Sequence, residues 1–291
     1  MPAKTPQNAN LIGSLWMIAA MFGFAVEDAL IKATFATLPI WQILVMFGLG
    51  GAIAFVIVAR RAGENLFPKT VLSPPMRIRM LFEIFGRLFF TLAITLTPLS
   101  TTTVILQATP IVVVAAAAIL FGETVGWRRW LAICIGLLGV LVILQPTPAS
   151  FTPMSLLAVF GMIGFAGRDL ASRAAPASLS TAILGIYGFF ALAIAGGIYA
   201  FFEHAAPVMP DAKTGAIVMA IIAVGTLSYA SLMKAMRTGE VAAVAPFRYS
   251  RLLIGIAFGV VFFGESLDTR MLVGSALIVA AGVFLLIRGK K

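Results

Sequence analysis

The chain has 291 residues, 61% of them hydrophobic and only 11% charged, with a formal net charge of +10. A water-soluble domain of this size would expose large apolar patches and aggregate, so the composition excludes a soluble protein and points to the bilayer. The basic excess is unevenly spread among the connections, which marks orientation in a membrane rather than a nucleic-acid footprint.

In chain order, ten apolar runs are each long enough to cross a hydrocarbon core about 30 Å thick as a helix. They are predicted at Leu11 to Lys32, Leu38 to Val58, Met80 to Leu96, Thr101 to Phe121, Arg129 to Leu144, Met154 to Ser172, Thr181 to Phe202, Ala216 to Met236, Val241 to Phe263 and Met271 to Ile287. These spans use nearly the whole length and leave no room for a soluble catalytic domain. No GxxxxGK[ST] phosphate loop occurs, so ATP hydrolysis is not expected. With the N-terminus in the cytoplasm, the inside segments hold Lys4, Arg60, Arg61, Lys69, Arg77, Arg79, Arg128, Arg129, Arg173, Arg237, Arg288, Lys290 and Lys291, and the outside ones only Lys32, Lys213 and Arg270. That bias predicts a multi-pass inner (plasma) membrane protein with both termini cytoplasmic. Cys134 is alone in an apolar run and His204 falls in an outer loop, so no disulfide, metal site, cofactor or catalytic constellation is expected.

The sixth run is a copy of the first. Ser155 to Ala174 reads SLLAVFGMIGFAGRDLASRA and Ser14 to Ala33 reads SLWMIAAMFGFAVEDALIKA, 141 positions earlier. That copying predicts that the first run is retained rather than cleaved as a signal peptide. A second copy, offset by 142, sets Phe121-Gly122-Glu123-Thr124 against Phe263-Gly264-Glu265-Ser266, and Arg128 against Arg270. Five spans is an odd number, so the second copy enters the membrane from the opposite side. The expected fold is therefore all-α, ten transmembrane helices in two inverted five-helix repeats, 11–144 and 154–287. Such twins have two nearly equivalent states, one open to each face.

With its two five-helix halves, its Gly122-Glu123 and Gly264-Glu265 pairs closing the fourth and ninth helices, and its short connections, the chain resembles the ten-helix drug/metabolite transporter superfamily, EamA branch. The resemblance implies a secondary carrier of small organic solutes. It also implies a central cavity lined mainly by the third, fourth, eighth and ninth helices, with the fifth and tenth at the periphery.

An ionised side chain inside a bilayer costs about 2.5 to 3.5 kcal/mol on insertion scales, and is usually paired or faces a cavity. Asp28 with Lys32, Asp169 with Arg173, and Glu83 with Arg87 are each four apart on one helix, a spacing that predicts local pairs. Lys234, near an inner helix end, reads as a snorkelling anchor. Removing those pairs leaves Glu27 against Arg168, Arg248 and Arg251. Glu27 and Arg168 occupy equivalent repeat positions and are candidates for a gate or an interhelical bridge. Arg248 and Arg251, three apart after Pro246, lie on adjacent parts of one helix face. One acid cannot satisfy three arginines, so an anionic group on the substrate is expected, since guanidinium binds carboxylate in bidentate fashion; snorkelling, or bonding to Glu83, Asp169 and freed carbonyls, is the alternative. Gln107, its repeat mate Tyr249, Thr103 and Tyr229 are candidates to complete the site, and Glu27, Glu83, Arg87, Arg168 and Asp169 are candidates for gating or proton coupling.

The function expected is a carrier of a small amphipathic metabolite with a carboxylate, an amino acid or a derivative. S-adenosylmethionine or a riboflavin-like aromatic compound is the alternative, favoured if stacking outweighs charge. An integral membrane transferase would need a nucleophile or metal cluster that the sequence lacks, and a scaffold would need no cavity. The expected partners are lipid and a small-molecule substrate, with the chain monomeric or homodimeric. Ala132 and Gly136 on the fifth helix, and Ala276 and Ala280 on the tenth, are small residues that allow close helix contact, within the chain or between copies.

Overall fold

Backbone groups in hydrocarbon must be bonded within their own segment, and the long elements of this chain are helices. The computed structural model describes residues 7–34, 37–96, 102, 105–146, 152–263 and 268–288, with no strand among them. The helices are α1 (Gln7–Thr34), α2 (Ile40–Arg61), α3 (Pro74–Leu96), α4 (Thr109–Phe121), α5 (Trp127–Leu144), α6 (Ser155–Ala174), α7 (Thr181–Glu203), α8 (Ala212–Thr238), α9 (Val241–Val244), α10 (Ser250–Phe263) and α11 (Thr269–Arg288). Ser180 caps α7 by accepting from the Ile183 N–H, Asp211 caps α8 by accepting from the Thr214 N–H, and Gly122 ends α4 in the left-handed region at φ 63°.

Seven helical segments among the described residues are long and apolar enough to cross a membrane, against the ten expected. Charge accounts for one of the differences, since α3 carries Arg77, Arg79, Glu83 and Arg87 along one helix; in α4 and α11 the described apolar stretches are Thr109–Phe121 and Thr269–Phe284. The ninth run also differs from expectation. Instead of one helix it is the single turn α9, a 3-10 turn at Ala245–Tyr249, and then α10. Pro246 sits in that break, where it cannot donate the backbone bond that a continuous helix would need.

The principal helix pairs are α2 with α7, α3 with α6, α1 with α8, and α5 with α11. Close approach in the α3–α6 pair depends on glycine: a Cβ on Gly164 would stand 2.3 Å from the Gly86 Cα. The α5–α11 contact runs through Gly139 and Gly274 rather than through Ala276 and Ala280, which are both exposed.

Polar contacts sort the helix ends into two faces. At one, here the N-terminal face, Asn10 at the start of α1 accepts from the Glu240 N–H (2.8 Å), and Glu240 pairs with Arg129. Glu123 accepts from the Val241 and Ala242 N–H groups, each at 3.2 Å, and lies 3.9 Å from Arg173 at the end of α6. Arg237 donates to the Leu179 and Pro176 carbonyls. The Gly122-Glu123 pair thus caps a broken helix of the other half; Gly264-Glu265 lies outside the described residues. At the opposite face Glu203 accepts from the Ile40 and Trp41 N–H groups (2.9 and 2.8 Å), and Gln42 exchanges two bonds with Val208. The start of α1 and the end of α6 share one face, so these two copied helices run antiparallel.

Candidate functional site

Between the two faces α1, α2, α3, α7 and α8 enclose a cavity of about 10 Å³, room for about one water. Glu27 on α1, Glu83 and Arg87 on α3 and Tyr229 on α8 supply its polar lining, and Phe24, Phe47, Phe189 and Leu192 its apolar walls. Phe47 and Phe189 meet edge-on, ring centroids 5.1 Å apart, and Tyr229 packs on Phe189 at the same separation. Two glycines make the room: a Cβ on Gly188 would stand 2.0 Å from the Tyr229 hydroxyl, and one on Gly225 would stand 3.0 Å from Glu27 Oε2. The third and eighth helices contribute as the resemblance implied. Among the described residues the fourth and ninth do not, and the first, second and seventh line the space instead.

Toward the N-terminal face the charges are tied into one network. Arg168 donates to Asp169 (2.9 Å) and to Glu83 (3.2 Å), and Arg248 pairs with the second oxygen of Asp169. Tyr229 donates to Glu83 (2.6 Å) and accepts from Arg79. Arg79 also donates to Ser172 (2.9 Å), whose hydroxyl donates to the Arg168 carbonyl (2.8 Å). Asp169, Glu83 and Arg79 are at most 1% exposed. Buried ions of this kind stay charged only where partners replace water.

Two of the three local pairs expected from spacing do not form among the described side chains. Glu83 turns to Arg168 and Tyr229 instead of Arg87, and Asp169 to Arg168 and Arg248 instead of Arg173. Asp28 takes Arg251, and the Lys32 side chain lies outside the described set. The premise that Glu27 alone must answer three arginines is thereby corrected: Asp169, Glu83 and Asp28 answer them. Low dielectric explains the change, because a bond to a neighbouring helix replaces lost water on both partners, while an i, i+4 pair on a helix surface is worth only about 0.2 to 0.5 kcal/mol. Nor do Glu27 and Arg168 bridge. Arg248 and Arg251, expected to point one way, diverge to acids on α6 and α1.

Tyr249 is also displaced from the cavity. It packs between α5 and α11 with Val140 and Ile278, its ring against Gly136, and its hydroxyl donates to the Ile133 carbonyl (3.4 Å). Gln107 is half-buried in the turn before α4, and Thr103 lies outside the described residues. Ser228, near the site, spends its hydroxyl on the Val224 carbonyl. Lys234 stands 4.3 Å over the Trp16 ring. The sequence reading left Arg79 in the connection before Met80. Its spacing was the signal, since Arg79, Glu83 and Arg87 recur every four residues and form one stripe once α3 begins at Pro74.

Two groups at the cavity stand apart from the network. Glu27 is 4% exposed and its Oε2 has no hydrogen-bond partner, and the buried Arg87 Nε has none either. No ion pair involves either side chain among the described residues, although both line the same space. The Arg87 guanidinium lies 5.8 Å from the Phe165 ring.

Comparison with known proteins bears on what this arrangement is for. The EamA-like transporter family profile matches residues 11–145 and again 152–288. An S-adenosylmethionine uptake transporter of Rickettsia prowazekii is 24% identical over 281 residues, covering 97% of this chain and 94% of the relative. A pseudopaline exporter of Pseudomonas aeruginosa is 26% identical over 276 residues (94% and 95%), and a riboflavin transporter of Vibrio cholerae is 24% identical over 293 (94% and 93%). A protein of known crystal structure shares the fold with a TM-score of 0.80 at 19% identity, covering 98% of this chain and 99% of the other. These named relatives are transporters, not enzymes.

Proposed function

The chain belongs to the EamA-like transporter family and is a multi-pass membrane transporter, and from that premise we propose that it is a secondary carrier working by alternating access. In this reading it is built from two inverted five-helix repeats, 11–144 and 154–287, and lies in the inner membrane with both termini cytoplasmic. The observation that carries the proposal is the pattern of packing. Under a shift of five spans the α1–α8 pair becomes α6–α3, the α1–α10 pair becomes α6–α4, and α2–α7 and α5–α11 map onto themselves; all of these pairs are present. Residues around the cavity follow the same rule, Phe47 with Phe189 and Arg87 with Tyr229, each 142 positions apart, and Glu27 with Arg168 at 141.

The symmetry is broken around α8, which packs on both α6 and α7 while the corresponding α3 packs on neither α1 nor α2 to a comparable extent. Arg173 donates to the Met236 carbonyl and Arg237 to the Pro176 and Leu179 carbonyls where α6 and α8 meet, so the N-terminal face is the latched one. Moving substrate then means opening α6–α8 while closing α1–α3, an exchange of equivalent contacts with a small net energy. The substrate is a small amphipathic metabolite, an amino acid or a derivative. Arg168, Asp169, Arg248 and Arg251 serve in this reading as ion pairs that re-form between the two states. An aromatic cofactor-like solute remains the second reading, favoured by the Phe24, Phe47 and Phe189 walls and by what two of the relatives are named for.

Solute counterflow in proteoliposomes tests the carrier. Saturable exchange of labelled for unlabelled solute is expected. Passage that does not saturate, or none with any solute, removes the mechanism.

A further inference from the structure

We propose that Glu27 and Arg87 form the two ends of a slot for the zwitterionic group of an amino acid, with its ammonium on the Glu27 carboxylate and its carboxylate on the Arg87 guanidinium. The proposal rests on the carrier reading and names the substrate chemistry of its cavity.

A buried ion ordinarily takes a partner, and the other charges around this cavity each have at least one, although Arg79 Nη1 and Arg248 Nε are also left without a hydrogen bond. Arg168 has Glu83 and Asp169, Arg248 has Asp169, and Arg79 has Tyr229 and Ser172. Glu27 and Arg87 have opposite signs and line one small space, yet they neither pair with each other nor satisfy Glu27 Oε2 and Arg87 Nε. α1 and α3, which carry the two groups, make no contact with each other comparable to that of α6 with α8, so their separation sets the width of a space that now has room for about one water. Closing α1 on α3 around a ligand would supply both missing partners at once.

Only one kind of ligand fits both ends. An anion alone would satisfy Arg87 and face the Glu27 carboxylate unshielded, and a cation alone would do the reverse. A neutral aromatic would leave both orphaned, at the cost of an unsatisfied buried charge. The walls agree with a cation in the slot, since the Phe24, Phe47 and Phe189 rings line the space and a ring face attracts positive charge. Gly225 keeps that end open, since a Cβ there would stand 2.3 Å from the Phe47 ring and 3.0 Å from the carboxylate oxygen.

The test uses the purified full chain in proteoliposomes and four labelled probes: S-adenosylmethionine, its decarboxylated analogue, its deaminated analogue, and riboflavin, which has no amino-acid group. The slot predicts saturable counterflow of S-adenosylmethionine, with each singly charged tail bound at least about tenfold more weakly, the loss of one charge-assisted bond. Arg87→Gln should erase the preference over the decarboxylated analogue and leave the preference over the deaminated one. Glu27→Gln should do the opposite. The wild-type comparison needs no variant to fold. Equal binding of all three adenosyl probes overturns the slot. Riboflavin exchange without S-adenosylmethionine exchange overturns the slot and leaves the carrier standing. Absence of saturable exchange with every probe, and with a mixture of the common amino acids, removes both.

Discussion

Arg168 and Glu27 stand at equivalent positions of the two copied helices, and their surroundings differ in one respect. Arg168 is hydrogen-bonded to Glu83 and Asp169 across and along the bundle, whereas Glu27 keeps a buried carboxylate oxygen with no partner. Their neighbours repeat the contrast: Tyr229 donates to Glu83 and accepts from Arg79, while its repeat mate Arg87 leaves its Nε unsatisfied. One scaffold position has therefore been used twice, once to join helices and once to hold a carboxylate oxygen without a hydrogen-bond partner beside a cavity. Burial alone does not separate a structural charge from a functional one. Satisfaction does, because a folded protein that retains an unpaired buried charge forgoes stability that a neutral residue would return.

Stability measurements can break that contrast. Arg168→Ala leaves Asp169 and Glu83 short of a partner in a dry site and should cost about 3 to 5 kcal/mol, the penalty for orphaning a buried ion. Thermal unfolding in detergent would show it as a large fall in Tm. Glu27→Gln changes a side chain whose Oε2 has no hydrogen-bond partner, so the stability should stay within about 1 kcal/mol of the wild type or rise, a loss of one net hydrogen bond being the most at stake. Comparable destabilisation by both would mean that Glu27 is held by the fold as firmly as Arg168 is.

How much of this was legible in the residues follows the same line. The membrane class and the family were legible, because hydrophobicity and a copied Ser-Leu…Gly-Phe-Ala…Asp stretch are properties of the chain itself. The charge partners were not. Spacing put Asp169 with Arg173 and Glu83 with Arg87, but the cost of burial drives each acid to guanidiniums on neighbouring helices, and only the packing of α3 on α6 reveals which. Arg79 was missed for a related reason: hydropathy ends the third span at its charges, while the helix runs on to Pro74 and carries them inward. Tyr249 was misplaced because repeat equivalence with Gln107 fixes a level in the membrane, not the direction that a side chain takes after Pro246 breaks the helix.

The glycines sharpen the comparison at the next scale down. Gly188 carries no side chain because the Tyr229 hydroxyl and the Arg79 guanidinium occupy the place of its Cβ, at 2.0 and 2.9 Å, so Gly188→Ala should cost about 1 to 3 kcal/mol by overpacking. Gly197, on the same helix with nothing within 4 Å, should gain up to about 1 kcal/mol when replaced by alanine, from helix propensity. The two changes are chemically identical. A difference in sign between them, measured by thermal unfolding, isolates the rigidity of the Tyr229–Glu83 network from any general intolerance of α7 to substitution.

The smallest effect comes from an acid that is satisfied in water instead of in the membrane. Asp211 lies outside α8, and hydrogen bonds from Thr214, side chain first and backbone N–H next, hold its carboxyl below the usual carboxylate range. A depressed value means that the folded state favours the ionised form. Its capping contribution is therefore complete above the ordinary aspartate value of about 4 and is lost as the pH falls through the lower folded value. Hydrogen exchange at the first turn of α8 should accelerate, relative to the intrinsic rate, over that acid window. In Asp211→Asn, which can still accept the Thr214 bond, the pH dependence should vanish while most of the protection remains. Loss of protection at all pH values in that variant would assign the end of α8 to its charge, and an acid bonded as Asp211 is would then resemble the buried pairs of the network more closely than its exposure suggests.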